Sequence, residues 1–148
     1  MMPATTETVT ANELAARLRL SVVRLSRQLR RHAASGLSPS LVSALGVVGR
    51  RGPLTPSELA EIEDVKRPTA TRFIAILERR GLVDREPDRR DGRSYRVSLT
   101  TQGSVLLAQS RTRQGAYLAR ALSVLDPAEL DALDRALGLL ERLVEDGR

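Results

Sequence analysis

The chain has 148 residues, with no cysteine, no tryptophan, one phenylalanine and two tyrosines. Its length suits a single domain, and a core so poor in aromatic residues favours packed helices. The absence of cysteine excludes disulfides, thiolate metal sites and thiol-based sensing of peroxide. With 24 Lys and Arg residues against 18 Asp and Glu, the net charge of +6 favours a polyanionic partner without identifying it.

The first ten residues contain neither a basic cluster nor an apolar stretch. No later segment approaches the roughly 20 consecutive apolar residues that a membrane span requires. We therefore expect a cytoplasmic protein without a membrane partner, and we expect residues 1–9 to form a disordered tail.

The first predicted helix begins after Thr10, because Thr10 and Glu13 have the spacing of a capping box. Apolar residues then recur every three or four positions until Ala34-Ser35-Gly36 ends the helix, which predicts one apolar face that needs a partner. This stripe consists of Leu14, Leu18, Val22, Leu25 and Leu29. We interpret five of the arginines of the same helix as a solvated face, with contact to DNA or a ligand as the alternative. They are Arg17, Arg24, Arg27, Arg30 and Arg31.

Two further helix starts follow in the middle of the chain. Ser38 precedes Pro39, the pattern of an N-cap with proline at the first helical position. Thr55, Pro56 and Glu58 combine a capping box with the same proline position, so a short helix begins there. The residues expected to be buried by these two helices are Leu41, Ala44, Leu45, Val48, Leu59 and Ile62.

The next predicted helix begins around Arg67-Pro68 and ends at Gly81. We expect it to bury Ala70, Leu77, and either Phe73 or Ile74. Beyond Gly81 the period becomes alternating, which predicts a half-buried strand that contains Tyr95, Val97 and Leu99. Residues 83–86 can pair with it antiparallel, and residues 87–93, with the turn signal Asp91-Gly92, then form the tip of a hairpin.

Two helices complete the chain. Thr100 is the predicted cap of a long helix, and Asp126, Pro127 and Glu129 mark the start of the last one, which we expect Gly147 to end. The apolar stripe of the last helix is as regular as that of the first. Its residues are Leu130, Leu133, Leu137, Leu140 and Val144.

Residues 38–100 thus read as a helix-turn-helix followed by an arginine-rich hairpin, set between apolar helical arms. In such a unit the second helix places its N-terminal side chains on base edges in the major groove, and a hairpin beside it can reach the minor groove. Four segments in this order resemble the MarR family of winged helix-turn-helix transcription regulators. They are Leu54 to Ala60, Pro68 to Arg72, Leu77 to Val83, and Asp91 to Gly103.

The resemblance covers roughly residues 10–146 and implies a fold that is mainly α, with a small antiparallel β-hairpin as the wing. It implies a bacterial DNA-binding regulator, located at the nucleoid through its DNA. It also implies a homodimer held by residues 10–34 and 101–146 around a DNA-binding lobe of residues 38–100, all within one domain of residues 10–148. By resemblance only, a small apolar or aromatic anion is the expected ligand. The dimerisation residues would include Leu14, Leu18, Leu122, Leu130, Leu133, Leu137 and Leu140.

The predicted DNA contacts lie at the start of the helix that begins around Arg67-Pro68, in the wing and at two helix starts. We call this helix the predicted recognition helix. Threonines can meet base edges or a thymine methyl, and arginines can pair with guanine or phosphate. By resemblance, Asp91 holds the wing in shape, while Arg93 or Arg90 enters the minor groove; a purely structural contact between Asp91 and Arg93 is the alternative. The full set is Ser38, Thr55, Lys66, Arg67, Pro68, Thr69, Thr71, Arg72, Arg89, Arg90 and Arg93.

Enzyme chemistry has little material in this sequence. His32 is the only histidine, and without cysteines or a nearby carboxylate cluster it makes a poor metal site, so we expect neither a metal nor another cofactor. No Ser/His/Asp grouping or phosphate-binding glycine loop occurs. On the resemblance to the MarR family we predict a dimeric repressor of a near-palindromic operator that a ligand releases. The alternative is a helical protein-interaction module, or a non-specific DNA-binding protein, that kept the fold.

Overall fold

The computed structural model describes residues 9–33 and 36–146. Six helices and one two-stranded antiparallel sheet follow each other in the predicted order, so the mainly helical winged fold is confirmed. The elements are α1 (Ala11–His32), α2 (Pro39–Arg51), α3 (Pro56–Ile62), α4 (Arg67–Arg79), β1 (Val83–Pro87), β2 (Tyr95–Leu99), α5 (Thr101–Leu122) and α6 (Pro127–Asp146). The predictions for residues 1–8, for Ala34-Ser35 and for Gly147 lie outside the described residues.

The predicted capping boxes form at three helix starts. The backbone N–H of Thr10 donates to Glu13 over 2.9 Å, that of Thr55 to Glu58 over 2.6 Å, and that of Asp126 to Glu129 over 2.9 Å. In each pair the N-cap side chain accepts from the N–H three residues on. Each box therefore satisfies two backbone donors that the first helical turn leaves without partners.

The core lies between α2, α3, α4 and the hairpin. Leu45, Leu59 and Leu77 are almost completely buried in it, as predicted. Between the two open choices in α4, Ile74 is buried and Phe73 is only partly so. The core is therefore aliphatic, as the composition predicted.

The prediction that Ile62 points inward was wrong, because its side chain is 45% exposed. Helix α3 ends at Ile62, and Glu63 is its C-cap. The chain then turns through Asp64, at a φ of 51°, and the N–H of Val65 donates to the carbonyl of Ala60 over 2.9 Å. Val65 instead packs against the core.

The hairpin pairs Val83 with Leu99 at its base and Pro87 with Tyr95 near its end. The strand β1 thus extends one residue further than predicted, and residues 88–94 form the tip. An isolated bridge adds Leu54 to the other edge of β2: Leu54 and Val97 exchange two backbone hydrogen bonds of 3.1 and 2.8 Å. The segment before α3 is thereby attached to the wing.

The terminal helices differ from this core. Among the described residues, α1 and α6 contain no buried residue, and α5 buries only Gly103 and Ser110. No helix in the described ranges is long and apolar enough to span a membrane. The apolar stripes predicted for α1 and α6 are therefore largely open to solvent in the single chain.

Candidate DNA interface

One face of α4 is buried in the core, so only the side chains on its other face are accessible to a partner. Ala70, Ile74 and Leu77 are buried in the core. Arg67 and Pro68, at the start of the helix, are exposed. Lys66, Thr71 and Arg72 are also exposed, and Thr69 is half-buried. The predicted DNA contacts of α4 thus lie on its N-terminal turns and on its outer side. The inner side of the helix packs against the core.

Thr71 makes one local contact that shapes what it can offer. Its hydroxyl donates to the carbonyl oxygen of Arg67 over 3.0 Å. The hydroxyl proton is therefore engaged within the helix, and the oxygen lone pairs and the methyl group remain. A threonine methyl can contact the methyl group of thymine.

The wing tip is organised by two aspartates. The Asp91 carboxylate accepts from the backbone N–H of Arg93 over 3.0 Å, and the Asp91 carbonyl accepts from the N–H of Ser94 over 2.9 Å. The Asp88 carboxylate accepts in the same way from the N–H of Arg90 over 3.0 Å. Short carboxylate contacts of this kind fix tight turns. Asp91 has the contact that its wing-shaping role requires, and the role itself stays a prediction.

Arg96 is a residue that the sequence did not single out. Its Nη1 donates to the carbonyl oxygen of Pro53 over 2.9 Å and lies 3.6 Å from a carboxylate oxygen of Glu58. Its Nε lies 3.6 Å from a carboxylate oxygen of Asp88, whose side chain is only 8% exposed. Arg96 therefore bridges the wing and the start of α3, and its guanidinium is turned inward.

Glu58 belongs to both the capping box and this bridge. The backbone N–H of Thr55 lowers the pKa of the Glu58 carboxyl, and burial opposes this shift. The Thr55 hydroxyl and the positive charge of Arg96 lower the pKa further. The carboxylate form is thus favoured where the turn before α3 meets the wing.

Arg85 is held in a comparable way on β1. Its Nε lies 2.8 Å from Glu78 in α4, and its guanidinium carbon lies 4.6 Å from the centroid of the Tyr95 ring. This arginine attaches the hairpin to α4. Of the arginines on the two strands, neither Arg85 nor Arg96 is free for a nucleic acid.

The predicted cations of the interface have no such partners. The ion pairs within 4 Å among the described residues involve only Arg85 and Arg96 as cations. Six exposed cations remain available, and they are Lys66, Arg67, Arg72, Arg89, Arg90 and Arg93. Unpaired, exposed guanidiniums can fork onto phosphates or guanine edges.

The two helix starts in the predicted set occupy different places. Thr55 is half-buried, and its hydroxyl accepts from the N–H of Glu58 over 3.2 Å. Ser38 is exposed and caps α2 without a side-chain hydrogen bond. Two residues before it, the Gly36 carbonyl accepts from Arg80, which follows the C-terminal end of α4. The structure therefore does not bring Ser38 to the N-terminal end of α4.

A cavity of about 420 Å³ lies between α2, β2 and α5. Arg50 and Arg111 contribute two guanidiniums, and Val42, Leu99 and Leu107 contribute apolar walls. No pocket residue could be predicted from the sequence, because the lining combines residues 42–50 with residues 99–114, which are far apart along the chain. The cavity has the apolar walls and few charged groups that are common in small-molecule sites.

The predicted dimerisation residues are accessible in the single chain. Leu14 is 56% exposed, and Leu137 is 48% exposed. Leu130 and Leu133 are exposed to a lesser extent, and Leu18, Leu122 and Leu140 are half-buried. Each of the helices α1 and α6 thus carries several exposed leucines rather than a single isolated one.

Comparisons with known proteins agree with this architecture. The model of the MarR family matches residues 35–94, which include α2, α3, α4, β1 and the tip of the hairpin and end just before β2. An HTH-type transcriptional regulator of Mycobacterium bovis is 42% identical over 134 residues, which are 90% of this chain and 94% of that protein.

Solved structures extend the likeness to the terminal helices. A transcriptional regulator of Pseudomonas aeruginosa is 37% identical, with a TM-score of 0.81 over 93% of this chain and 99% of that one. The FabT protein of Streptococcus pneumoniae, solved in complex with DNA, is 21% identical and has a TM-score of 0.67 over 93% of this chain and 96% of that one. At that identity the second likeness concerns the fold.

Proposed function

This chain belongs to the MarR family of winged helix-turn-helix transcription regulators, and on that basis we propose that it binds a specific operator in duplex DNA. The observation that carries the proposal is the set of six exposed cations without ion-pair partners on α4 and the wing. A relative of the same fold was solved on DNA.

We assign the two parts of this interface to the two grooves. The start of α4 enters the major groove, where Thr69, Thr71 and Arg72 meet base edges while Lys66 and Arg67 contact phosphates. The wing tip, shaped by Asp91, carries Arg90 or Arg93 into the minor groove. Pro68, Arg89, Thr55 and Ser38 complete the proposed contact set, with Ser38 contacting only backbone phosphate.

We propose that the functional unit is a homodimer. The support is the apolar face of α1 and α6, where leucines such as Leu14 and Leu137 are about half-exposed. A dimer of two lobes reads a near-palindrome with half-sites about 10 bp apart. In this division, residues 38–100 form the DNA-binding lobe, and residues 10–34 and 101–146 form the dimer base of one domain.

The proposed direction of control is repression, because a dimer seated on promoter DNA excludes polymerase. For release we propose a small apolar or aromatic anion in the cavity between α2, β2 and α5, where Arg50 and Arg111 would hold the negative charge. We propose no enzymatic activity, and we place the protein in the cytoplasm, at the nucleoid.

Fluorescence anisotropy with the DNA upstream of its own gene tests operator binding. We expect the affinity for that DNA to exceed the affinity for a scrambled duplex by about 10³-fold, and to fall as salt increases. Arg72→Ala and Arg93→Ala should each weaken operator binding by about tenfold or more. Arg142→Ala, in α6, is the matched control and should leave the affinity unchanged.

Two results would redirect the proposal. Equal affinity for operator and scrambled DNA would leave only electrostatic, non-specific binding. Retention of full DNA affinity by both Arg72→Ala and Arg93→Ala, in folded dimers, would favour a helical protein-interaction module. A thermal-shift screen of aromatic carboxylates tests the ligand: a bound carboxylate should raise the melting temperature of the wild type, and Arg111→Gln should lose that increase.

A further inference from the structure

A second cluster of basic side chains lies where the end of α1 meets α5, outside the candidate DNA interface and the cavity above, on two helices of the proposed dimer base. Arg31 and His32 of α1 line an open cavity of about 340 Å³ together with Arg113, Tyr117 and Arg120 of α5. None of these residues lines the cavity between α2, β2 and α5.

The walls of this cavity are held by defined contacts. The rings of His32 and Tyr117 stack with their centroids 4.2 Å apart and an interplanar angle of 19°. One turn earlier, the Gln114 amide donates to the carbonyl of Leu29 over 3.3 Å and fixes α1 against α5. The basic groups therefore surround a flat aromatic wall whose two helices are already joined.

The cluster has no carboxylate of its own. Helix α5 contains no Asp or Glu, and the single acidic residue of α1, Glu13, is engaged with Thr10 at the opposite end of the helix. Within the described residues, Arg31, Arg113 and Arg120 take part in no ion pair. Three guanidiniums concentrated in one concavity attract a group that carries several negative charges.

We propose that this cavity binds a small, multiply charged anion, either a phosphorylated compound or a polycarboxylate. Guanidinium forks match the oxygens of both groups, and three of them exceed the demand of a single carboxylate. The stacked rings of His32 and Tyr117 provide a flat wall for the remainder of the ligand. The site would give the protein a second chemical input besides the ligand proposed above, and it does not depend on DNA binding.

Thermal unfolding of the full chain without DNA tests the site, with pyrophosphate and citrate as the two probes and NaCl at matched ionic strength as the reference. Saturation by the preferred probe should raise the melting temperature by an amount on the order of 5 °C. The variant Arg113→Gln/Arg120→Gln should lose that increase. The control variant Arg135→Gln/Arg142→Gln removes two charges from α6 and should keep it.

The difference between these two variants decides the outcome. The proposal is overturned if neither probe exceeds NaCl, or if both variants respond as the wild type does. It is also overturned if Arg113→Gln/Arg120→Gln mainly weakens DNA binding, since the cluster is then a phosphate contact. Dissociation of the dimer in that variant would instead assign the cluster to a second copy of the chain.

Discussion

Arg96 shows how one side chain can determine the position of the wing. Its guanidinium reaches Pro53, Glu58 and Asp88, so it ties the hairpin to the segment that begins α3. Arg96→Gln removes these contacts and leaves the buried carboxylate of Asp88 without its cation. We expect the free energy of unfolding to fall by about 1–2 kcal/mol, as measured by urea denaturation. Arg89→Gln, at an exposed wing position, should change it by less than about 0.5 kcal/mol.

The same residue gives a test that separates positioning from general stability. If Arg96 places the wing, then Arg93→Ala should weaken operator binding less in an Arg96→Gln background than in the wild type. Strictly additive losses of affinity would mean that Arg96 contributes to stability alone.

Within the described part of the chain, the hydroxyl of Tyr95, unlike the guanidinium of Arg96, forms no hydrogen bond that would stabilise the fold. Its hydroxyl is buried and has no hydrogen-bond partner among the described residues, while its ring receives Arg85. Tyr95→Phe keeps the ring and removes the unsatisfied oxygen, so we expect stability to stay equal or rise by up to about 1 kcal/mol. Thermal and urea unfolding measure it, with Tyr117→Phe for comparison. A clear loss on Tyr95→Phe would reveal a partner for the hydroxyl.

At the scale of residues, the sequence predicted contacts between nearby positions and missed contacts between distant ones. The caps at Thr10, Thr55 and Asp126 were identified because each is a bond between positions three apart. Asp88 and Arg96 could not be identified in this way. The contact from Arg96 to Pro53 spans 43 positions, and it depends on how the hairpin packs.

At the scale of elements, the start of α3 gives a prediction of pH dependence. The pKa of Glu58 is lowered, chiefly by the N–H of Thr55, so its contribution to stability is present above its ordinary pKa and is lost as the pH falls through the lowered one. Glu58→Gln should therefore destabilise the protein at pH 7 by less than about 1 kcal/mol, since the carboxylate is half-exposed and screened.

The difference between wild type and Glu58→Gln should shrink as the pH falls below the ordinary pKa of glutamate, and it should disappear once the pH is below the lowered pKa of the Glu58 carboxyl. Urea denaturation at a series of pH values measures it. Glu61→Gln, on the same helix and exposed, is the control. A difference that persists unchanged at pH 3 would show that Glu58 acts through packing rather than charge.

Two glycines of α5 have opposite surroundings. A Cβ at Gly103 would overlap the carbonyl oxygen of Leu82, whereas a Cβ at Gly115 would meet nothing within 4 Å. Gly103→Ala should destabilise the protein by about 2 kcal/mol or more, because the backbone must shift. Gly115→Ala should stabilise it by roughly 0.5–1 kcal/mol through helix propensity. Equal effects in thermal unfolding would contradict close packing of α5 against the segment that joins α4 to β1.

Element ends in the core were less predictable than element starts. The pattern around Gly81 gave the end of α4 correctly: Gly81 has a φ of +70°, and Leu82 donates to the carbonyl of Leu77 over 3.0 Å. The end of α3 had no such signal. Periodicity alone placed Ile62 inside, while the turn after it gave that role to Val65.

At the scale of the whole molecule, the charge of +6 is unevenly divided. Helix α1 has six arginines and one glutamate, α5 has three arginines and no acidic residue, and α6 has six acidic residues and two arginines. A homodimer that places α6 of one chain beside α1 of the other brings opposite charges together around the leucines. Its association should therefore weaken as salt increases.

The proposed dimer can be tested on the apolar face of α6. Leu133→Gln/Leu137→Gln introduces two polar groups where leucines are 39% and 48% exposed in the single chain. Loss of their burial at a dimer contact should reduce association by more than 100-fold, since each leucine is worth about 1.5 kcal/mol or more. Sedimentation velocity over a range of concentrations measures this. Arg135→Gln, on the opposite side of the same helix, should leave association intact.

Operator binding provides the decisive comparison for the same variants. A dimer contacts two half-sites together, so separation of its lobes removes the gain in affinity that simultaneous contact provides. Leu133→Gln/Leu137→Gln should thus bind the full operator no more tightly than a half-site, although α4 and the wing are unchanged. If it instead keeps full operator affinity as a monomer, then one lobe suffices, and the apolar faces of α1 and α6 serve another partner.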